Sequence, residues 1–171
     1  MSDTTLLLWL YGDIYCPWTR ELLVRIREIQ AAHGTALRLG WRPLPLGPES
    51  ETALRAVEFA RDLEESLADR VLDGLCSAAA LDAMDPEDPA TVLEACERLG
   101  LDREGVRHAV SDGRYDAELA RAEQEAERYG IDTIPALLIG RRMIVGAAPK
   151  ELLETEIDAA LSLAAADRDG G

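Results

Sequence analysis

The stretch Leu6-Leu7-Leu8-Trp9-Leu10-Tyr11-Gly12-Asp13-Ile14-Tyr15-Cys16-Pro17-Trp18-Thr19 decides how this chain folds. Its first six residues are apolar without a break, the pattern of a strand buried on both faces in a parallel or mixed sheet. Gly12 and Asp13 end the run. A turn carrying Cys16-Pro17-Trp18-Thr19 follows, then a helix over Arg20 to Gln30 with Leu22, Leu23, Ile26 and Ile29 on one face. Pro17 suits the first turn of that helix, where its missing N–H is not needed, and Gly34 closes it. A cysteine is thus expected beside a helix N-terminus, where unsatisfied N–H groups and the positive dipole end favour the thiolate. The thiolate is the nucleophile of disulfide exchange, which makes Cys16 the first candidate catalytic residue.

Outward from this stretch, Leu37, Leu39 and Trp41 alternate with Arg38, Gly40 and Arg42, predicting a second strand. Pro43, Pro45, Gly47 and Pro48 then break regular structure. From Glu51 to Tyr129 the pattern is helical. Ala60, Leu63, Leu67 and Val71 form one stripe continuing to Leu75. Val92, Leu93, Cys96 and Leu99 lie on a short helix ended by Gly100. Asp102 caps another helix with Val106 and Val110 inward, and Tyr115 to Tyr129 is a further one stopped by Gly130. Strand character returns at Ile134 to Ile139, turns at Gly140-Arg141-Arg142 and pairs back over Met143 to Val145. A last helix turns Leu152, Leu153, Ile157 and Leu161 inward. The order is β-α-β, a helical insertion, then β-β-α, an α/β chain with a four-stranded sheet, helices on both faces and a helical lid. Residues 1–50 and 130–164 form the α/β unit, 51–129 the insertion, and 165–171 an expected disordered tail.

The 171 residues suit one domain with an insertion, and 47% apolar composition is enough for a packed core. With 33 acidic and 18 basic residues the net charge is −15, which disfavours nucleic-acid and anionic membrane partners. The run Leu6 to Tyr11 is too short for a membrane span or signal core, so the expected location is the cytoplasm. Cys16, Cys76 and Cys96 are odd in number and do not suggest a disulfide framework. His33 and His108 stand at no ligand-like spacing from them, so no metal is expected.

A second piece of chemistry-bearing sequence is Thr133-Ile134-Pro135, where a proline opening a strand hints at a special turn, with a cis peptide one way to build it. Taken together, Asp13-Ile14-Tyr15-Cys16-Pro17-Trp18, Trp41-Arg42-Pro43-Leu44, Gly130 to Ile139 and Val145-Gly146-Ala147-Ala148-Pro149 resemble the FrnE-like branch of the DsbA family. The helical part from Asp88 to Tyr129 also matches in pattern, whereas the region between Gly47 and Pro86 looks shortened. The resemblance implies a thioredoxin fold with an inserted helical domain and a substrate groove between them. Cys16 corresponds to the nucleophilic cysteine and Pro135 to the cis-proline. Ile134 would present backbone groups to a substrate peptide or to glutathione by strand addition, with Pro17, Trp18 and Thr133 beside it.

The family pattern has a second cysteine three residues after the first, and here that position is Thr19. The CPWT motif excludes a local dithiol couple, so a mixed disulfide at Cys16 needs an external thiol such as glutathione for release. No bound cofactor is expected, only glutathione as a possible co-substrate. Thr19 is expected to donate its hydroxyl to the Cys16 sulfur. Cys76 and Cys96 lie on apolar stripes and read as core. Three activities remain open: monothiol exchange on a disulfide-containing or glutathionylated protein, as a reductase or isomerase; glutathione-dependent isomerisation or transfer on a small molecule, as in hydroxychromene-carboxylate isomerases and kappa-type glutathione transferases; or partner binding without turnover.

Overall fold

The computed structural model describes residues 5–81 and 83–169. Strand β1 (Leu6–Gly12) leads to helix α1 (Pro17–His33) and returns in β2 (Leu37–Pro43), which pairs parallel to β1. Helices α2 (Glu51–Leu63), α3 (Glu65–Ala80), α4 (Pro89–Arg98), α5 (Arg103–Ser111) and α6 (Asp116–Tyr129) follow. Strand β3 (Ala136–Ile139) pairs antiparallel to β1, β4 (Arg142–Val145) antiparallel to β3, and α7 (Lys150–Asp169) ends the chain. The sheet order is β2-β1-β3-β4, a four-stranded mixed sheet of the thioredoxin type with a helical insertion.

Strand β1 is central and explains its own sequence. Leu8 and Leu10 enter the main core with Leu22, Ile26 and Ile29 of α1 and with Leu153 and Ile157 of α7. On the opposite face, Tyr11 packs with Ala126 of α6 and Ala136, flanked by Trp9 and Met143. Apolar side chains are therefore wanted on both faces at Leu10 and Tyr11, each contributing roughly 1.5–3 kcal/mol when fully buried, whereas Leu7 is exposed and Trp9 half-buried, so the strand is not covered on both faces along its whole length. The edge strand β2 approaches Trp9 closely enough that Gly40 has no room for a side chain: a Cβ there would lie 2.3 Å from the ring. The Arg42 guanidinium stacks 3.7 Å from the centroid of the same ring. Leu44 N–H donates to Gly12 O, so by alternation the N–H groups of the odd residues of β2 point away from β1. Pro43 sits on that outward side, where its missing N–H removes no ladder bond.

Five expectations change. The stripe from Ala60 to Leu75 is two helices, because Glu64 is extended (φ −167°, ψ 135°) and leaves Leu63 exposed. Helix α6 lies against β2, while α3 packs on α1, so the helical block is divided between two sides of the molecule. Strand β3 begins at Ala136, not Ile134, because the proline at 135 has no N–H for the ladder. Residues 165–169 continue α7 where a disordered tail was expected, since Ala164-Ala165-Ala166 are strong helix formers and no breaker precedes Gly170. Residues 170–171 of that expected tail lie outside the described residues. Leu153 and Ile157 are buried as expected, but Leu152 is exposed.

Gly40→Ala is expected to lower stability by about 1–3 kcal/mol through overpacking against Trp9. The urea midpoint should fall with the slope unchanged.

Candidate active site where three strands end

The register brings the chemistry-bearing residues to one end of the sheet. Gly12 pairs with Pro43, and Tyr11 with Ala136, so one further step sets Pro135 opposite Gly12. The turn after Gly12 then places Cys16 as the N-cap of α1 (φ −78°, ψ 113°), with Pro17 in the first turn. Its carbonyl accepts from the N–H groups of Thr19 at 3.1 Å and Arg20 at 3.3 Å, and its own N–H donates to Asp13 O at 3.2 Å. Cys16 is 5% exposed, whereas Trp18 stands out at 63%. The Ile134–Pro135 peptide is cis, Pro135 is buried and Ile134 half-buried. Thr133 is exposed and donates from Oγ1 to Asp132 Oδ1 at 3.2 Å.

Thr19 does something other than expected. It is fully buried, and its Oγ1 accepts from Asp13 N–H at 3.4 Å. Its Cγ2 and Oγ1 occupy the space a Cβ on Gly12 would need, at 2.7 and 2.8 Å. Among the described residues no hydrogen bond joins Thr19 to the Cys16 sulfur. The hydroxyl sits back against the end of β1 because the first turn of α1 directs residue 19 towards the core.

The residue that sequence reasoning passed over is Asp13. Its Oδ1 accepts from Tyr15 N–H and its Oδ2 from Leu46 N–H, both at 2.7 Å. The first bond is an Asx turn, legible in principle from an Asp at the end of a strand. The second joins positions 33 apart and clamps the Cys16 turn to the loop after β2. Burial pushes the Asp13 carboxyl above its ordinary 3.8, and the bonds from Leu46 and Tyr15 pull it back.

The other cysteines are buried free thiols. Burial pushes Cys96 up to about 12 and drives Cys76 in the same direction, which makes both poor nucleophiles at neutral pH. Tyr15, beside Cys16, has a buried phenol oxygen without a hydrogen-bond partner, and burial raises it to about 12.

Next to the cis-proline turn lies a groove of about 560 Å³. Leu44, Leu46 and Ile131 give it apolar walls, and Thr133 and Ile134 form its end. It opens beside the loop that Asp13 clamps.

Residues 8–158 match the family described as DSBA-like thioredoxin domain. No curated protein sequence matches the chain. Among solved structures, the thiol-disulfide exchange protein alpha-DsbA2 from Wolbachia pipientis superposes with TM-score 0.79 at 15% identity, covering 93% of this chain and 83% of that one. A protein from Streptomyces coelicolor described as a probable DsbA oxidoreductase gives 0.81 at 19%, with 92% and 90% covered. A thioredoxin-like oxidoreductase from Silicibacter pomeroyi gives 0.77 at 21%, with 92% and 87% covered. At these identities the likeness establishes the shared fold.

Asp13→Ala should orphan two N–H groups and release the Leu46 loop, a loss of roughly 2–5 kcal/mol. Because the folded carboxyl holds its proton above the unfolded value of 3.8, the folded chain binds more protons than the unfolded one just above that pH. Its contribution is full below 3.8 and falls as pH rises through the higher folded value. Denaturant melts should therefore show the variant's deficit largest near about pH 4 and narrower near about pH 7.

Proposed function

The chain belongs to the DSBA-like thioredoxin domain family, and from that premise we propose that it is a monothiol thiol-disulfide oxidoreductase of the FrnE-like branch, working through Cys16 with glutathione as the releasing thiol. The observation that carries this reading is the placement of Cys16 as the N-cap of α1, in the turn that leaves β1 at the end of the sheet where β3 begins after the cis-proline, with threonine and not cysteine three residues on.

The chemistry balances with one added thiol. The Cys16 thiolate attacks the glutathione sulfur of a glutathionylated protein. The protein's S–S bond breaks, its sulfur leaves as thiolate and takes a proton from solvent, and Cys16 is left bonded to glutathione. A second glutathione thiolate attacks the glutathione sulfur of that bond, and Cys16 leaves as thiolate. Glutathione disulfide departs, so the substrate is reduced by two electrons at the expense of glutathione. Ile134, half-buried at the groove end, offers main-chain groups for an extended substrate, and exposed Trp18 offers an apolar surface two residues from Cys16. Thr19 serves as a positioning residue that seats the turn on Gly12. A cycle that draws on reduced thiol fits a reducing compartment, the cytoplasm.

Single-turnover reaction with a glutathionylated peptide, followed by mass spectrometry, should show glutathione on Cys16 and its loss on adding free glutathione. Cys16→Ser should abolish both steps, and Cys76→Ala with Cys96→Ala should leave them in place. A wild-type protein that never acquires the adduct would overturn the reading in favour of a binding scaffold. Thr19→Cys should make release independent of added glutathione, with an intramolecular disulfide that removes two free thiols on oxidation.

A further inference from the structure

The groove beside the cis-proline turn has a one-sided charge. Glu123 and Glu127 of α6 line it from one side and Asp132 from the loop before Thr133, and no Lys or Arg lines it. All three carboxylates are exposed, and among the described residues none is held in an ion pair. This is unlike the rest of α6. There Glu118 is paired with Arg121, and Glu125 with Arg42 at 2.7 Å. The remaining cation of that helix, Arg128, lines a separate recess on the sheet face with Trp9 and Tyr129. The groove is thus an apolar trough (Leu44, Leu46, Ile131) with a rim of three uncompensated negative charges at the position where a strand-adding substrate would lie.

We propose that this groove selects an extended polypeptide segment carrying Lys or Arg near its disulfide. The inference rests on the thiol-exchange reading of Cys16 and deepens it by naming the substrate class. Unpaired carboxylates at the mouth of a low-dielectric trough attract cations and raise their rate of encounter, while a segment rich in Asp or Glu meets repulsion without a compensating base. The long apolar stems of Lys and Arg lie along Leu44 and Leu46 while their heads reach the rim. Glutathione carries a net negative charge at neutral pH, so the same rim works against its lodging in the trough and leaves it the role of releasing thiol at Cys16. The whole chain at −15 adds a long-range bias in the same direction.

The test compares two peptides of equal length, each with one glutathionylated cysteine flanked by Lys in one and by Glu in the other, with neutral 2-hydroxyethyl disulfide as the third substrate. Single-turnover adduct formation on Cys16 should be roughly tenfold faster for the Lys peptide at low salt, and the ratio should shrink in high salt. In the combined variant Glu123→Gln, Glu127→Gln, Asp132→Asn the ratio should fall towards one. Equal rates for the two peptides in the wild type, with hydroxyethyl disulfide still turned over, would overturn the substrate class alone. A ratio that survives in the combined variant would equally overturn the assignment to this groove. No adduct with any of the three substrates would overturn the thiol-exchange reading, and this inference with it.

Discussion

Leu8 and Leu10 on one side of β1 and Tyr11 on the other are essentially excluded from water, and a strand with that burial must lie inside a covered sheet. From this constraint the rest follows. A parallel neighbour requires a crossover, which α1 supplies, and α1 must begin close to where β1 ends. The antiparallel neighbour β3 must then start where β1 stops. The end of β1 becomes the meeting point of the Cys16 turn, the loop after β2 and the cis-proline turn.

Holding that meeting point in shape is a polar task set in an apolar surrounding. Asp13, itself fully buried, accepts two main-chain N–H groups, from Tyr15 and from Leu46. Main-chain donors left unpaired there would each cost more than an average hydrogen bond gains, so one buried carboxylate positions two loops at once. Thr19 completes the arrangement from beneath by filling the space above Gly12. Threonine at this position therefore leaves the turn packed. The scaffold that holds Cys16 at the start of α1 is kept.

Charge divides the surface around this point. Most arginines of the chain are spent on neighbouring carboxylates, as Arg27 is on Asp69 and Asp73 and Arg55 on Glu51 and Asp116. Such pairs, most of them half-buried, neutralise local fields. The carboxylates left over at the groove are then the ones that a passing substrate senses, which is why net charge alone says less about recognition than its distribution does.

The apolar run Leu6 to Tyr11, the helical spacing of Leu22, Ile26 and Ile29, the proline at 17 and the Ile134-Pro135 step were enough to order the elements and to bring Cys16 and Pro135 forward, because these signals are local and repeat with the period of their own strand or helix. The break at Glu64 escaped, since an apolar stripe carries on through a kink when both helices face one core. So did the true role of Thr19: a hydroxyl three residues from a thiol looks like its partner until the helix turn directs it towards Gly12. The bond from Leu46 to Asp13 and the gathering of Glu123, Glu127 and Asp132 around one groove belong to the tertiary structure alone. They join residues from separate elements, and no periodicity in a chain encodes which loops the burial of a central strand will bring side by side.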